Sequence, residues 1–233
     1  MMDFRDYSDA EMMMIELANE LAGDLENALL THDRVSFAVP GGTTPGPIFD
    51  TLSAVDLGWE RIDVMLTDER WVPEASDRSN TRLLRERLLV DKAAAATFIP
   101  LYADAPTPED KLPSLAAAID PLTPISVMLL GMGVDMHTAS IFPGADQLDL
   151  ALHGDDTLVP MRAPGAAEPR ITLSAKVLKG AMSRHVVIIG DEKRAALDKA
   201  RHLKPDAAPI AAVLAGSTVH WAKSMGSPHP LQV

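Results

Sequence analysis

The chain has 233 residues, no cysteine and a formal net charge of −12, which excludes a disulfide framework, a thiolate nucleophile and cysteine-ligated zinc or iron–sulfur centres. Its calculated pI of about 4.9 leaves no broad basic face for nucleic acid or an anionic membrane, so any anionic ligand must be met by local cations. A hydrophobic share of 47% with only 4% aromatic describes an aliphatic core of ordinary α/β type, and the length suits one domain over residues 1–233.

The opening MMDFRDYSDAEMMMIELANELAGDL carries acids throughout and no apolar stretch of signal-peptide length, and no later run approaches a membrane span, so a cytoplasmic enzyme or binding protein is expected. Ser8 and Glu11 have capping-box spacing, and Met12, Ile15, Leu17, Leu21, Leu25 and Leu29 continue an apolar stripe that predicts a long first helix to about residue 30. Short β-rich runs come next at 35–39, 62–67, 125–130 and 186–189, alternating with helical segments near 46–55, 80–90, 109–120 and 192–202. STVHWA near the end reads as a further strand. Strands alternating with helices predict a mostly parallel sheet covered on both faces. ADAPTPEDKLP and MRAPGAAEP read as surface loops. In such a sheet ligands bind beyond the carboxyl ends of the strands, so the residues just past each strand are the informative ones.

After the first run comes Gly41-Gly42-Thr43-Thr44-Pro45, opening a helix. Free N–H groups at a helix start, glycines that allow close approach and two hydroxyls suit a phosphate. The same residues read equally as a tight turn with Thr43 or Thr44 as N-cap and Pro45 at the first helical position. It is not a P-loop, since no Gly-Lys-Ser/Thr comes after it. After the second run come Asp68, Glu69 and Arg70: Arg70 offers a permanently charged fork for phosphate or carboxylate, Asp68 can accept a proton or bind hydroxyls, and the alternative is a solvated loop. Trp71 reads as packing, and Ser79 or Asn80 as the cap of the next helix. The third run leads into LGMGVDMHTASIFPG, where Gly131 and Gly133 allow a sharp turn and Asp135 and His137 set an acid beside an imidazole that can take a proton near neutrality. It is not a dinucleotide fingerprint, since no third glycine comes before Gly144. After HVVIIG, Lys193 and Arg194 lie at a helix start, against the macrodipole, a placement that asks for an anion or for solvent. The histidines at 32, 153, 185, 202, 220 and 229 show no paired metal-ligand spacing and His-Glu-x-x-His is absent, so no catalytic metal is expected.

Taken together and in order, VPGGTTP, TDERWVP and then SN, LGMGVDMHTASIFPG, PRITLS and GDEKRAAL resemble the 6-phosphogluconolactonase family over nearly the whole chain. The resemblance implies a three-layer, Rossmann-like α/β fold with a mostly parallel central sheet, similar to glucosamine-6-phosphate deaminase and ribose-5-phosphate isomerase. It also implies hydrolysis of 6-phospho-D-glucono-1,5-lactone without a cofactor, with a small phosphosugar lactone as the ligand and neither nucleic acid nor membrane as a partner. By motif position it implies that Gly41, Gly42, Thr43, Thr44 and Lys193 hold the phosphate. Arg70 and Arg170 would contact anionic or carbonyl oxygens and Asp68 the hydroxyls, with His137 as general base oriented by Asp135. The family's Asp-Gly-His is here Asp135-Met136-His137, with Val134 where an acid is often found; a glycine serving a left-handed backbone there would leave Met136 strained. Related phosphosugar deaminases or isomerases, and a non-catalytic phosphosugar-binding regulator, are the alternatives, and oligomeric state is not legible.

Overall fold

The computed structural model describes residues 2–223; His229, one of the histidines weighed above, lies outside them. Eighteen regular elements run in the order β1 (Asp3–Tyr7), α1 (Ala10–Leu29), β2 (Val35–Val39), α2 (Gly46–Ser53), β3 (Ile62–Leu66), β4 (Asp68–Arg70), α3 (Asn80–Arg87), β5 (Thr97–Ile99), α4 (Leu112–Ile119), β6 (Val127–Gly131), α5 (Leu148–His153), β7 (Leu158–Met161), β8 (Arg170–Leu173), α6 (Ala175–Gly180), β9 (Ser183–Ile189), α7 (Asp191–Ala200), α8 (Ala211–Leu214) and β10 (Thr218–Ala222). Seven strands form one sheet in the order β1-β10-β9-β6-β2-β3-β5, every pairing parallel. All five residues of β2 and of β3 are buried, which requires cover on both faces and explains their largely apolar runs. Helices α1, α2 and α3 pack side by side, and α5, α6 and α8 form a second group. The expected α/β architecture is therefore observed.

The chain order fixes where a ligand can enter. From β2 the sheet grows through β3 to β5 in one direction, while β6 takes the place on the other side of β2 and leads to β9, β10 and β1. Connections that leave neighbouring strands in opposite directions open a crevice beyond their carboxyl ends. The loops after β2 and β6 are those that carry the Gly41 turn and His137.

Several local readings are corrected. The first helix is capped by Asp9, whose Oδ1 accepts from Met12 N at 2.8 Å, not by Ser8, because the helix starts one residue later than the capping-box spacing suggests. The buried face of α1 is accordingly Ala10, Met13, Met14, Leu17, Ala18, Leu21, Ala22 and Leu25, and Met12 and Ile15 are exposed. Neither Thr43 nor Thr44 caps α2: Pro45 holds the N-cap position without a side-chain bond and Pro47 lies in the first turn. Ser79 does cap α3, and Trp71 is buried with its Nε1 donating to Ala105 O. Strands β1, β5, β7 and β8 have no counterpart in the sequence pattern, and Asp68–Arg70 form a strand, not a loop. Together β4, β8 and β7 make a small antiparallel sheet.

On the face of the large sheet against α1 lies a polar seam. Tyr7 Oη is 2.8 Å from His220 Nδ1, His220 Nε2 is 3.0 Å from His185 Nδ1, and His185 Nε2 is 2.9 Å from Asp24 Oδ2. Burial, with His185 and Arg5 nearby, pushes the His220 imidazole down to about 3. The unfolded chain takes up this proton near pH 6.5, so between the two values unfolding binds protons and stability falls with acidification. Urea unfolding between pH 7 and pH 4 should show this group costing up to about 1.4 kcal/mol per pH unit below pH 6.5. His220→Gln, which bridges without titrating, should flatten the slope, and parallel slopes for the two proteins would contradict the assignment.

Candidate active site

A cleft of ≈ 280 Å³ opens at the crevice between β2 and β6, close to the lower end of the ~300–1,000 Å³ common for small-molecule sites. It is lined by Gly41, Gly42, Thr43, Thr44, Asp68, Arg70, His137, Arg170 and Lys193, so nine of the ten residues singled out from the sequence meet there. The tenth, Asp135, stands behind the imidazole. Its Oδ1 lies 2.5 Å from His137 Nδ1 and also accepts the His137 backbone N–H at 3.2 Å. The hydrogen bond to His137 holds the Asp135 carboxyl below the usual carboxylate range. With Nδ1 committed to the carboxylate, Nε2 is the ring nitrogen left to accept a proton.

The loop geometry behind this pair is tight. Gly133 N donates to His137 O and Met136 N to Gly133 O, and a Cβ on Gly133 would overlap both the His137 ring and the Asp135 carboxylate. Gly133 is thus needed for close approach, a reason beyond the sharp turn read from the sequence. Met136 has φ of 68°, so the left-handed conformation that a glycine would take freely is here carried by methionine, at a cost of about 1–2 kcal/mol. The bond from Ile210 N to Met136 O and packing of the partly buried Met136 side chain against the core hold it there. The His137 ring also packs against Phe142, with ring centroids 4.3 Å apart and the planes tilted by 33°.

The cations form the second feature. In the antiparallel register of β4 and β8, Arg70 is directly opposite Arg170, and like charges facing across a ladder repel. Both Nε atoms are buried without a hydrogen-bond partner among the described residues, and Arg70 is anchored through Nη1 to Arg78 O at 2.6 Å. Desolvation lowers the Arg170 pKa, with Arg70 adding to the effect and Asp68 opposing it. Lys193, in the first turn of α7, is likewise shifted down by desolvation. Among the described residues no carboxylate lies within ion-pair distance of Lys193, Arg70 or Arg170, whereas Arg194 pairs with Asp6 and covers the rings of Phe4 and Trp221. Three under-compensated cations around one cleft in a chain of net charge −12 make an anion trap.

The third feature is a buried carboxylate where the sequence reads as solvated loop. Glu69 is fully buried. Its Oε1 accepts from Arg70 N and Asn80 N, each at 2.8 Å, and its Oε2 accepts from Ser79 Oγ at 3.2 Å and from Thr81 N and Thr81 Oγ1, each at 2.8 Å. Burial pushes the Glu69 carboxyl up, against the pull of these donors. The carboxylate thereby ties the start of α3 to β4. Asn80, read only as a possible cap, lines the cleft instead: its Nδ2 donates to Asp68 O at 3.1 Å, and its side chain occupies the space a Cβ on Gly41 would need. Asp68 is buried, with Ser140 Oγ donating to Oδ2 at 2.5 Å and Thr67 Oγ1 to Oδ1 at 3.3 Å. Asp–x–His and Gly-rich turns announce themselves in sequence. A carboxylate whose partners are main-chain N–H groups 11 and 12 residues on carries no such signal.

Fold and cleft together define a doubly wound α/β protein built to take a small anionic ligand at its topological switch point. The family model described as glucosamine-6-phosphate isomerases/6-phosphogluconolactonase matches residues 8–221, and the chain belongs to that family. It is 41% identical over 213 residues to a 6-phosphogluconolactonase of Mesorhizobium japonicum, covering 89% of this chain and 88% of that one. A Caulobacter vibrioides 6-phosphogluconolactonase is 39% identical, with 84% and 85% covered. The crystal structure of a 6-phosphogluconolactonase from Shewanella baltica superposes with a TM-score of 0.92 at 32% identity, covering 95% of this chain and 98% of the other. A monomeric glucosamine-6-phosphate deaminase shares the fold, at a TM-score of 0.78 and 15% identity.

If Glu69 positions α3 and Asn80 as described, Glu69→Gln sets an amide NH2 among donors and should lower stability by about 1–3 kcal/mol. Urea unfolding measures it. A midpoint within error of the native protein's would show that these bonds do not hold the element.

Proposed function

We propose that the protein hydrolyses 6-phospho-D-glucono-1,5-lactone to 6-phosphogluconate, with His137 as general base. The observation that carries the reading is the Asp135-backed imidazole facing the same cleft as Arg70, Arg170 and Lys193, which supplies a base and under-compensated cations around one small ligand. Membership in the family and the named relatives support the choice of lactone. A lactone carbonyl is already electrophilic, so catalysis asks for an activated water, a stabilised oxyanion and a grip on the distant phosphate.

In this reading the turn at 41–44 and Lys193 bind the phosphate through backbone N–H groups, hydroxyls and the ammonium. Neither threonine caps α2, so their hydroxyls are not engaged by the start of that helix. Asp68 and Asn80 address sugar hydroxyls. Water attacks the carbonyl carbon while His137 Nε2 takes its proton, and Asp135 steadies the imidazolium that forms. Arg70 and Arg170 hold the developing oxyanion and later the product carboxylate. Collapse breaks the bond to the ring oxygen, which receives the proton from His137 and leaves as the C5 hydroxyl. The carboxylic acid then loses its proton to solvent. No covalent enzyme intermediate is needed.

The test is lactone hydrolysis measured over its spontaneous background, alongside ammonia release from glucosamine 6-phosphate. Turnover of the lactone alone is expected; ammonia release without lactonase activity would move the chain to the deaminase side of its family. His137→Ala should lower kcat about 10²–10⁴-fold, the usual contribution of a positioned general base. A kcat near the native value would make His137 structural.

Lys193→Ala tests the other end of the cleft. It should act mainly on KM, raising it about 10–150-fold, the equivalent of about 1.5–3 kcal/mol for a charge-assisted bond. An unchanged KM for the phosphorylated lactone would remove Lys193 from the site.

A further inference from the structure

The seam between α1 and the sheet edge holds a cluster that the lactonase reading does not use. His185 on β9 and His220 on β10 are 35 residues apart and unpaired by any spacing rule, yet the register sets His220 beside Val187, two residues past His185, so both imidazoles leave the same face. That face is covered by α1, where Glu16, Glu20 and Asp24 recur at intervals of four, one helical stripe. His185 and His220 are buried, and Glu20 is partly exposed. None of the three lines the cleft described above.

We propose that Glu20, His185 and His220 form a binding site for a divalent cation of the zinc class, stapling α1 to β9 and β10. One ligand atom from each of the three lies within 4.8 Å of the others. His185 Nδ1 and His220 Nε2 face one another at 3.0 Å, and Glu20 Oε1 is 4.0 Å from His185 Nδ1. Metal–nitrogen bonds of about 2.0–2.1 Å in tetrahedral geometry separate ligand atoms by about 3.3 Å. The imidazoles therefore need to open only slightly, and Glu20 must swing inward from its exposed pairing with Arg5.

The outer nitrogens are arranged as metal-bound histidines require, each imidazole meeting a further polar group on the side away from the ion. His185 Nε2 meets Asp24 Oδ2 at 2.9 Å, and His220 Nδ1 meets Tyr7 Oη at 2.8 Å. Without an ion, one proton arrangement satisfies the whole chain: Tyr7 donates to His220, His220 Nε2–H to His185 Nδ1, and His185 Nε2–H to Asp24. On binding, the His220 proton moves from Nε2 to Nδ1 and is donated to Tyr7 Oη, while the Tyr7 proton turns to solvent. Both imidazoles then present lone pairs with no net change in protonation. Glu16, Glu20 and Asp24 outnumber Arg5, whose charge acts on His220, so the local field favours a divalent charge. An N2O donor set with an open position for water suits zinc, cobalt or nickel over magnesium or calcium. The inference does not rest on the lactonase reading.

The test uses the full chain, freed of metal by a chelator and titrated with Zn2+ by calorimetry and with Co2+ by visible absorption. One equivalent should bind, Tm should rise with zinc concentration as linkage requires, and Co2+ should develop ligand-field bands. Glu20→Gln and His220→Gln should each weaken binding at least 10-fold, and Asp24→Asn should weaken it about 10–100-fold through His185. Glu20 is partly exposed and its substitution leaves both imidazoles in place, so loss of binding there reports on the site and not on folding. His137→Ala should leave the affinity unchanged. Absence of a Tm shift at millimolar Zn2+, binding indifferent to Glu20→Gln, or binding lost in His137→Ala would each overturn the proposal.

Discussion

The reversal of chain direction between β2 and β6 is the constraint on which the site depends. Parallel strands need crossover helices, and helices that depart to opposite sides of two adjacent strands cannot both cover the space above them. That uncovered space is the cleft. From one side it receives the glycine turn after β2, and from the other the His137 loop after β6 and the start of α7 after β9. The small antiparallel sheet adds Arg70 and Arg170 across its own ladder. Residues far apart in the chain, such as Gly41 and Lys193, meet because the sheet brings strand ends together. The chemistry is then a matter of what each end carries.

What the ends carry is electrostatically uncomfortable without a ligand. Arg70 faces Arg170, their buried Nε atoms have no partner among the described residues, and Lys193 sits near the positive end of α7. The structure tolerates this because Glu69, with five donors, fixes α3 and β4 independently of any ligand, and because Asp68 is held by Ser140 and Thr67. A rigid frame with under-compensated cations is preorganised: an arriving anion gains the full interaction without first having to order the side chains that meet it. The strain in Met136, at φ of 68°, belongs to the same pattern, since backbone cost concentrates where a side chain must be aimed.

The parts of this arrangement legible in sequence are those with strong local signals. β2, β3 and β6 are largely apolar runs, and the glycines, threonines, arginine and histidine just beyond them are conspicuous because strand ends are few. β1 reads DFRDY and β4 reads DER, and neither shows an apolar pattern. They are strands because neighbouring backbones offer a ladder, a tertiary cause that propensity does not register. Asn80 resembles a helix cap in sequence because capping and lining ask for the same small polar side chain. The hydroxyls of Thr43 and Thr44 admit two uses, and the start of α2 at Gly46 decides against the cap. His185 and His220 sit on adjacent parallel strands, whose pairing depends on register and leaves no trace in spacing.

In the proposed function, phosphate and carbonyl occupy opposite ends of one cleft, the phosphate at Lys193 and the turn at 41–44, and the reacting carbon between His137 and the arginine pair. A crystal structure of the complex with 6-phosphogluconate tests it most directly. The account predicts phosphate oxygens within hydrogen-bond distance of Lys193 Nζ and the Thr43 and Thr44 hydroxyls, with the carboxylate between Arg70 and Arg170 and close to His137 Nε2. A product bound the other way round, with its phosphate on the two arginines and its carboxylate at Lys193, would contradict it.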